Sequence, residues 1–296
     1  MGLGTPGSDL SRSGCRALAL VRPFTHPCPR PRMRDPISSA IPNDSITRRE
    51  ALRRTAVGAI ALATSGCLGS TEPSSGGGNA RLAARVTAPS ATTAPGLYRL
   101  GLGGSRDGFL YVPTSYVPTV AAPLALLLHG AGHDATEMVD PIRPFADTLG
   151  LVLLAPDSRG GTWDAINGGF LDDVQFIDRA FTHVFSRVRV DASRVRIVGF
   201  SDGGSYSLSV GMINGDLFSR VAAFSPGFII QGPPTGKPKM FITHGTRDGV
   251  LPIDQASRLI VPQLRGAGYE VEYFEFDGGH GVTDALLGQA MAWVAA

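Results

Sequence analysis

The chain has 296 residues, 43% of them hydrophobic and 18% charged, an ordinary balance for a globular protein of one large domain or two small ones. Its formal net charge of +2 is unevenly spread: ten of 27 basic and four of 25 acidic residues lie in residues 1–67, leaving seventeen against twenty-one elsewhere, which argues against a nucleic-acid surface on the body. The three cysteines (Cys15, Cys28, Cys67) lie in the same stretch and the six histidines form no HxH pair, so the body is expected to hold no disulfide, thiol nucleophile or metal.

Residues 1–67 read as a leader. Thr47-Arg48-Arg49-Glu50-Ala51-Leu52-Arg53 resembles a twin-arginine export motif, with Ala51 where phenylalanine is usual. A short apolar run follows, from Ala56 to Ala63, well under the roughly 20 residues of a membrane span. It ends in Thr64-Ser65-Gly66-Cys67, which resembles a lipobox with Thr64 in place of leucine. The expectation is an exported protein (periplasmic, cell-surface or secreted), with Cys67 as the candidate lipid-anchor residue and the only route to a membrane. Residues 1–32 look like no domain, and Met33 is a better start for the leader. Residues 68–96, rich in Ser, Thr, Gly, Pro and Ala, read as a flexible tether.

Residues 97–296 alternate between strand and helix. Strands are expected at 97–100 and 109–112, joined by the turn GLGGSRDG. That glycine run precedes a strand instead of opening a helix, so it reads as a hairpin and not as a dinucleotide loop. Continuous apolar runs at 124–128, 151–155, 195–200, 221–224, 240–243 and 271–276 suit strands buried on both faces of a parallel sheet. Residues 170–188 carry an apolar stripe at helical spacing, and 255–266 and 282–295 read as further helices. Pro141 and Pro144 make the first crossover helix irregular. The expected fold is a layered α/β protein with eight strands, helices on both faces and no large cap domain.

Gly199-Phe200-Ser201-Asp202-Gly203 closes one apolar run and opens a helix, the setting in which a G-x-S-x-G motif holds a serine out for attack. A serine nucleophile needs a base, and the base needs an orienting acid. His280 in FDGGHGV and Asp248 in HGTRDGVLP each follow an expected strand and so reach the same sheet edge. Asp277 and Asp254 are rivals to Asp248. His129 and His244 read as structural, and His133 as a solvated loop residue.

LLLHGAG, GFSDGG, HGTRDGVLP and GGHG, in that order over residues 97–296, resemble the α/β-hydrolase esterases, in particular the polyhydroxybutyrate-depolymerase-like and phospholipase/carboxylesterase-like families. The resemblance implies that Ser201 is the nucleophile, His280 the base and Asp248 its partner. It also implies an oxyanion hole made by the backbone N–H groups of Ala131 and Asp202. The implied activity is carboxylic ester hydrolysis through an acyl-enzyme, with no cofactor. A binding lipoprotein on the same fold, or an acyltransferase or peptidase using the same three residues, are the competing readings. Short connections at the sheet edge suggest an open cleft for small or polymer-end esters. Trp163, in the irregular stretch 158–174, is expected either to flank the substrate or to pack its own loop. Phe228 and Leu251 are further candidates for the pocket wall.

Overall fold

The computed structural model describes Met1 and residues 80–296. The chain divides between residues 70 and 71 into two units, and the second is the one described below. The leader, including Cys67, and the first part of the expected tether lie outside the described residues.

Eight strands form one sheet in the order β1-β2-β4-β3-β5-β6-β7-β8. The strands are β1 (Gly96–Arg99), β2 (Gly108–Val112), β3 (Ala122–Leu128), β4 (Val152–Pro156), β5 (Val190–Phe200), β6 (Arg220–Phe224), β7 (Lys239–Gly245) and β8 (Val271–Phe276). β1 and β2 are the expected hairpin, and β2 pairs antiparallel with β4; every other pairing is parallel. The hairpin turn closes on the Asp107 carboxylate, which accepts the N–H groups of Gly101, Leu102 and Gly103 at 2.8–3.0 Å.

The inner strands are buried on both sides, so alternate residues feed two cores. Leu124, Leu126 and Leu128 of β3 face one core together with α2 (Asp172–Phe185), α3 (Asp202–Ile213) and α4 (Ser257–Gly266). Ala125 and Leu127 face the other with α1 (Thr136–Leu149) and α5 (Asp284–Ala295). Continuous apolar strands are therefore what this sheet requires. The irregularity expected at Pro141 and Pro144 is absent: α1 runs through both as one helix. Both prolines are exposed, on the side where water can serve the carbonyls left without an N–H partner. Residues 225–238, between β6 and β7, contain no helix or strand.

The second part of the expected tether is bound to the body. Asn214, fully buried, accepts the Leu82 N–H at 2.8 Å and donates to the Ala80 and Val210 carbonyls. Asp178 accepts the N–H groups of Ala83 and Ala84. Arg81 forms a two-point ion pair with Asp216 at 2.7 and 2.8 Å, which Arg85 joins, and Arg81 chiefly holds the Asp216 carboxyl well below the usual carboxylate range. Farther on, Ser90, Ala91 and Thr93 donate to the carbonyls of Ser186 and Arg187. The composition reads as loose because only Leu82 carries a large buried apolar side chain here; backbone hydrogen bonds do the holding. Asn214→Ala removes three of those bonds and strands buried polar groups, so it should cost about 1–3 kcal/mol in a urea melt of the whole chain. An unchanged midpoint would show that the strap adds nothing to the fold.

Candidate active site

Ser201 links the end of β5 to the start of α3 with φ 57° and ψ −120°, a backbone state costing a non-glycine residue on the order of 1–3 kcal/mol. Two flanking glycines permit it. A Cβ at Gly199 would run into the Gly203 carbonyl and the Ser207 hydroxyl, and one at Gly203 into the carbonyls of Leu128 and His129. The turn is tied to the sheet by the Ser201 N–H, which donates to the Phe224 carbonyl at 2.9 Å.

The Ser201 hydroxyl lies 2.8 Å from His280 Nε2, and His280 Nδ1 lies 2.7 Å from Asp248 Oδ2. The carboxylate makes Nδ1 the protonated nitrogen, so Nε2 accepts the serine proton. The Asp248 side chain is fully buried, and its other oxygen accepts the N–H groups of Val250 and Leu251 at 2.8 Å each. The loop carrying His280 is held by the Ser225 hydroxyl on the Gly281 carbonyl at 3.0 Å, and the imidazole packs on the Phe200 ring with centroids 5.0 Å apart. The rival acids are elsewhere: Asp277 forms an exposed pair with Arg247, and Asp254 one with Arg258.

His129 and His244 take structural positions, both wholly buried. His129 Nδ1 donates to the Gly130 carbonyl at 2.7 Å, and its Nε2 accepts the Ser158 N–H at 2.9 Å. His244 Nε2 donates to the Leu251 carbonyl at 2.8 Å and lies 3.2 Å from Asp248 Oδ2, while Ser257 Oγ reaches Nδ1 at 2.7 Å. Burial lowers the pKa of both imidazoles, which keeps them neutral in these roles. His133 is half-exposed, with Nδ1 3.4 Å from Glu137.

The residue 129–133 turn lies against the serine: a Cβ on Gly130 would stand 3.4 Å from Ser201 Cβ. Within it the Gly130 N–H donates to Glu137 Oε2, that of Gly132 to the Gly161 carbonyl and that of His133 to the Gly130 carbonyl. Among the described residues, the Ala131 and Asp202 N–H groups meet no protein acceptor. Asp202 heads α3, so its N–H is one of those a helix leaves unpaired.

Trp163 does not flank an open cleft. It is fully buried, donates from Nε1 to the His129 carbonyl at 2.8 Å and stacks on Tyr206 with centroids 5.1 Å apart. An indole N–H needs a buried acceptor, and this one lies beneath its own loop. Phe228 is 36% exposed, and Leu251 packs on Gly227 beside it. A separate cleft of about 410 Å³, lined by Thr93, Tyr98, Arg99, His183 and Arg187 among others, includes none of Ser201, Asp248 or His280.

Sequence reasoning missed the buried acids around this edge. Asp157 accepts the N–H groups of Asp107 and Ala135, and Asp173 those of Arg159 and Asp164. Asp173 and its neighbour Asp172 read from sequence as helix-start acids, which the first of α2's turns indeed holds. Nothing in their spacing shows that one of them turns inward.

No family model matches the sequence. The bifunctional acetylxylan esterase/xylanase of Neocallimastix patriciarum is 31% identical over 171 residues, covering 53% of this chain and 24% of that protein. The poly(3-hydroxybutyrate) depolymerase of Ralstonia pickettii is 29% identical over 158 residues, covering 45% of this chain and 30% of that protein. The matched parts are therefore less than a third of those two relatives' own length. The crystal structure of esterase PE8 superposes with a TM-score of 0.53 at 20% identity, covering 63% of this chain and 96% of that one. The fold is that of the α/β-hydrolases, and the sequence resembles esterases built on it.

Asp173 gives this edge a pH dependence. Burial, working against two backbone N–H groups, pushes its carboxyl up from 3.8 to about 6. A raised carboxylate pKa means that the folded chain holds the proton more tightly. The stabilisation is therefore complete below about pH 4 and is lost as pH rises through about 6. Asp173→Asn removes that titration. Between pH 4.5 and 7.5 the wild type should lose stability relative to Asp173→Asn, by at most about 3 kcal/mol. Parallel urea-melt curves at the two pH values would contradict it.

Proposed function

We propose that this α/β-hydrolase chain is a serine hydrolase of carboxylic esters, working through an acyl-enzyme. The observation that carries the reading is the unbroken hydrogen-bonded line from the Ser201 hydroxyl through His280 to the buried Asp248. The similarity to an acetylxylan esterase and a polyester depolymerase supports the same chemistry.

In the first half-reaction the Ser201 oxygen adds to the ester carbonyl while His280 Nε2 takes the hydroxyl proton. Asp248 holds the imidazole in the required tautomer and offsets the imidazolium charge. The carbonyl oxygen becomes an oxyanion, and Ala131 and Asp202 are the N–H groups free to meet it. Losing one such donor typically costs about 100- to 1,000-fold in rate. The tetrahedral adduct collapses, the carbon–oxygen bond to the alcohol breaks, and the leaving oxygen takes the proton from His280. Water then adds to the acyl-serine as His280 accepts its proton. Return of that proton to Ser201 releases the carboxylic acid.

Small or polymer-end esters remain the proposed substrates, with Phe228 and Leu251 as wall residues; Trp163 is withdrawn from that role. Export, and lipid attachment at Cys67, belong to the same reading, on residues outside those described.

The test is hydrolysis of p-nitrophenyl esters of two to twelve carbons, with Ser201→Ala alongside and the matching amide and thioester as competitors. Ester turnover should fall by about 10,000-fold or more in Ser201→Ala, and the chain-length profile sizes the cleft. A folded Ser201→Ala protein that keeps its rate sinks the reading. A preference for the amide replaces it with a peptidase.

A further inference from the structure

We propose that Glu137 is a positioning residue that holds the Gly130–Ala131 turn so that the Ala131 N–H faces the oxyanion; this rests on the esterase reading above. Ala131 lies between Gly130 and Gly132, and Gly132 has φ 78°. Gly130, with no Cβ, lowers the steric resistance of the peptide joining it to Ala131 to turning over. Turned over, it would present a carbonyl where the developing negative charge needs a donor. The turn therefore has to be held from outside.

Three ties hold it. The Gly130 carbonyl accepts from His129 Nδ1 at 2.7 Å and, more weakly, from the His133 N–H at 3.4 Å. The Gly130 N–H, on the other side of the residue, donates to Glu137 Oε2 at 2.6 Å. The space is closed as well: a Cβ at Gly130 would meet Glu137 Oε2 at 3.3 Å, the Phe200 ring at 3.4 Å and Ser201 Cβ at 3.4 Å. Gly130 is thus wedged between the serine turn and the Glu137 carboxylate.

A helix-start acid that served only the helix would point to water. Glu137 lies in the first turn of α1, yet its side chain is only 20% exposed. Burial pushes its carboxyl up from the usual glutamate value, against the Gly130 N–H and the nearby His133 and His280. A negative charge beside an oxyanion hole is unfavourable in itself. The bond to Gly130 is the compensating gain that the geometry shows.

The test compares Glu137→Gln, whose amide oxygen can still accept the Gly130 N–H, with Glu137→Met, which fills the space without accepting. Wild type and Ser201→Ala are run beside them on p-nitrophenyl acetate. Glu137→Met should lose about 10- to 100-fold in kcat with KM within about two-fold, and Glu137→Gln should stay within about three-fold of wild type in kcat. Wild-type kcat in a folded Glu137→Met protein overturns the proposal, and so does a Glu137→Gln as slow as Glu137→Met. Glu137→Ala takes the place of the methionine variant if that one does not fold. If the wild type itself shows no Ser201-dependent turnover, the esterase reading has failed. The crystal structure of Glu137→Met then decides the positioning claim: a turned 130–131 peptide upholds it, and an unchanged one overturns it.

Discussion

The close backbone approach at Gly199 and Gly203 is the constraint on which the site depends. Without side chains there, the first turn of α3 presses onto the ends of β5 and β3. That contact imposes the strained state of Ser201 and keeps the helix start near the 129–133 turn. Its effect continues along α3. The buried hydroxyls of Ser205 and Ser209 accept the N–H groups of Gly227 and Ile230, each at 2.9 Å, and so hold the loop after β6. The wall candidate Phe228 lies between those two anchors. A helix displaced by even one methyl group would release the Ser201 turn and this loop together.

Around the turn, loops replace sheet, and their N–H groups need other acceptors. Buried carboxylates supply them. Asp248 takes two backbone N–H groups, Asp157 two, Asp107 three and Asp173 two; Glu137 takes one. The charge is costly to bury, yet each N–H group that it accepts offsets part of that cost. The balance differs by residue. Asp173 is driven toward its neutral form mainly by desolvation. Asp248 instead accepts from the His280 imidazole as well as from two backbone N–H groups. One residue type thus serves as loop fastener in one place and as the partner of the His280 imidazole in another.

Much of this was legible in the sequence for a definite reason. Ser201, Asp248 and His280 each follow an apolar run, and a parallel sheet brings the ends of such runs to one edge. Order along the chain was therefore enough to bring them together. What was not legible depends on side-chain direction. Asp173 begins a helix and reads as a dipole acid, and Glu137 carries no sequence signal of its own, yet both point inward. Residues 80–94 read as a tether because a strap held by Asn214 and Asp178 needs no apolar pattern of its own. Pro141 and Pro144 signalled an irregular helix, but α1 runs through both and carries them on its exposed face. Trp163 could face a cleft or the core, and no local pattern separates the two.

Where Trp163 points changes the character of the mouth. With its indole N–H on the His129 carbonyl, it pins residues 158–174 to the 129–133 turn. The neighbouring residues are bound in the same way. Ser158 donates to His129, Arg159 and Asp164 to Asp173, and Thr162 Oγ1 to Asp202 at 2.7 Å. The Gly161 carbonyl accepts from Gly132. Opening this segment would break most of these bonds at once and expose a buried tryptophan, a cost several times thermal energy. The segment is therefore a fixed wall and not a lid. Any group placed at Ser201 meets a space shaped by the same hydrogen bonds that hold the 129–133 turn.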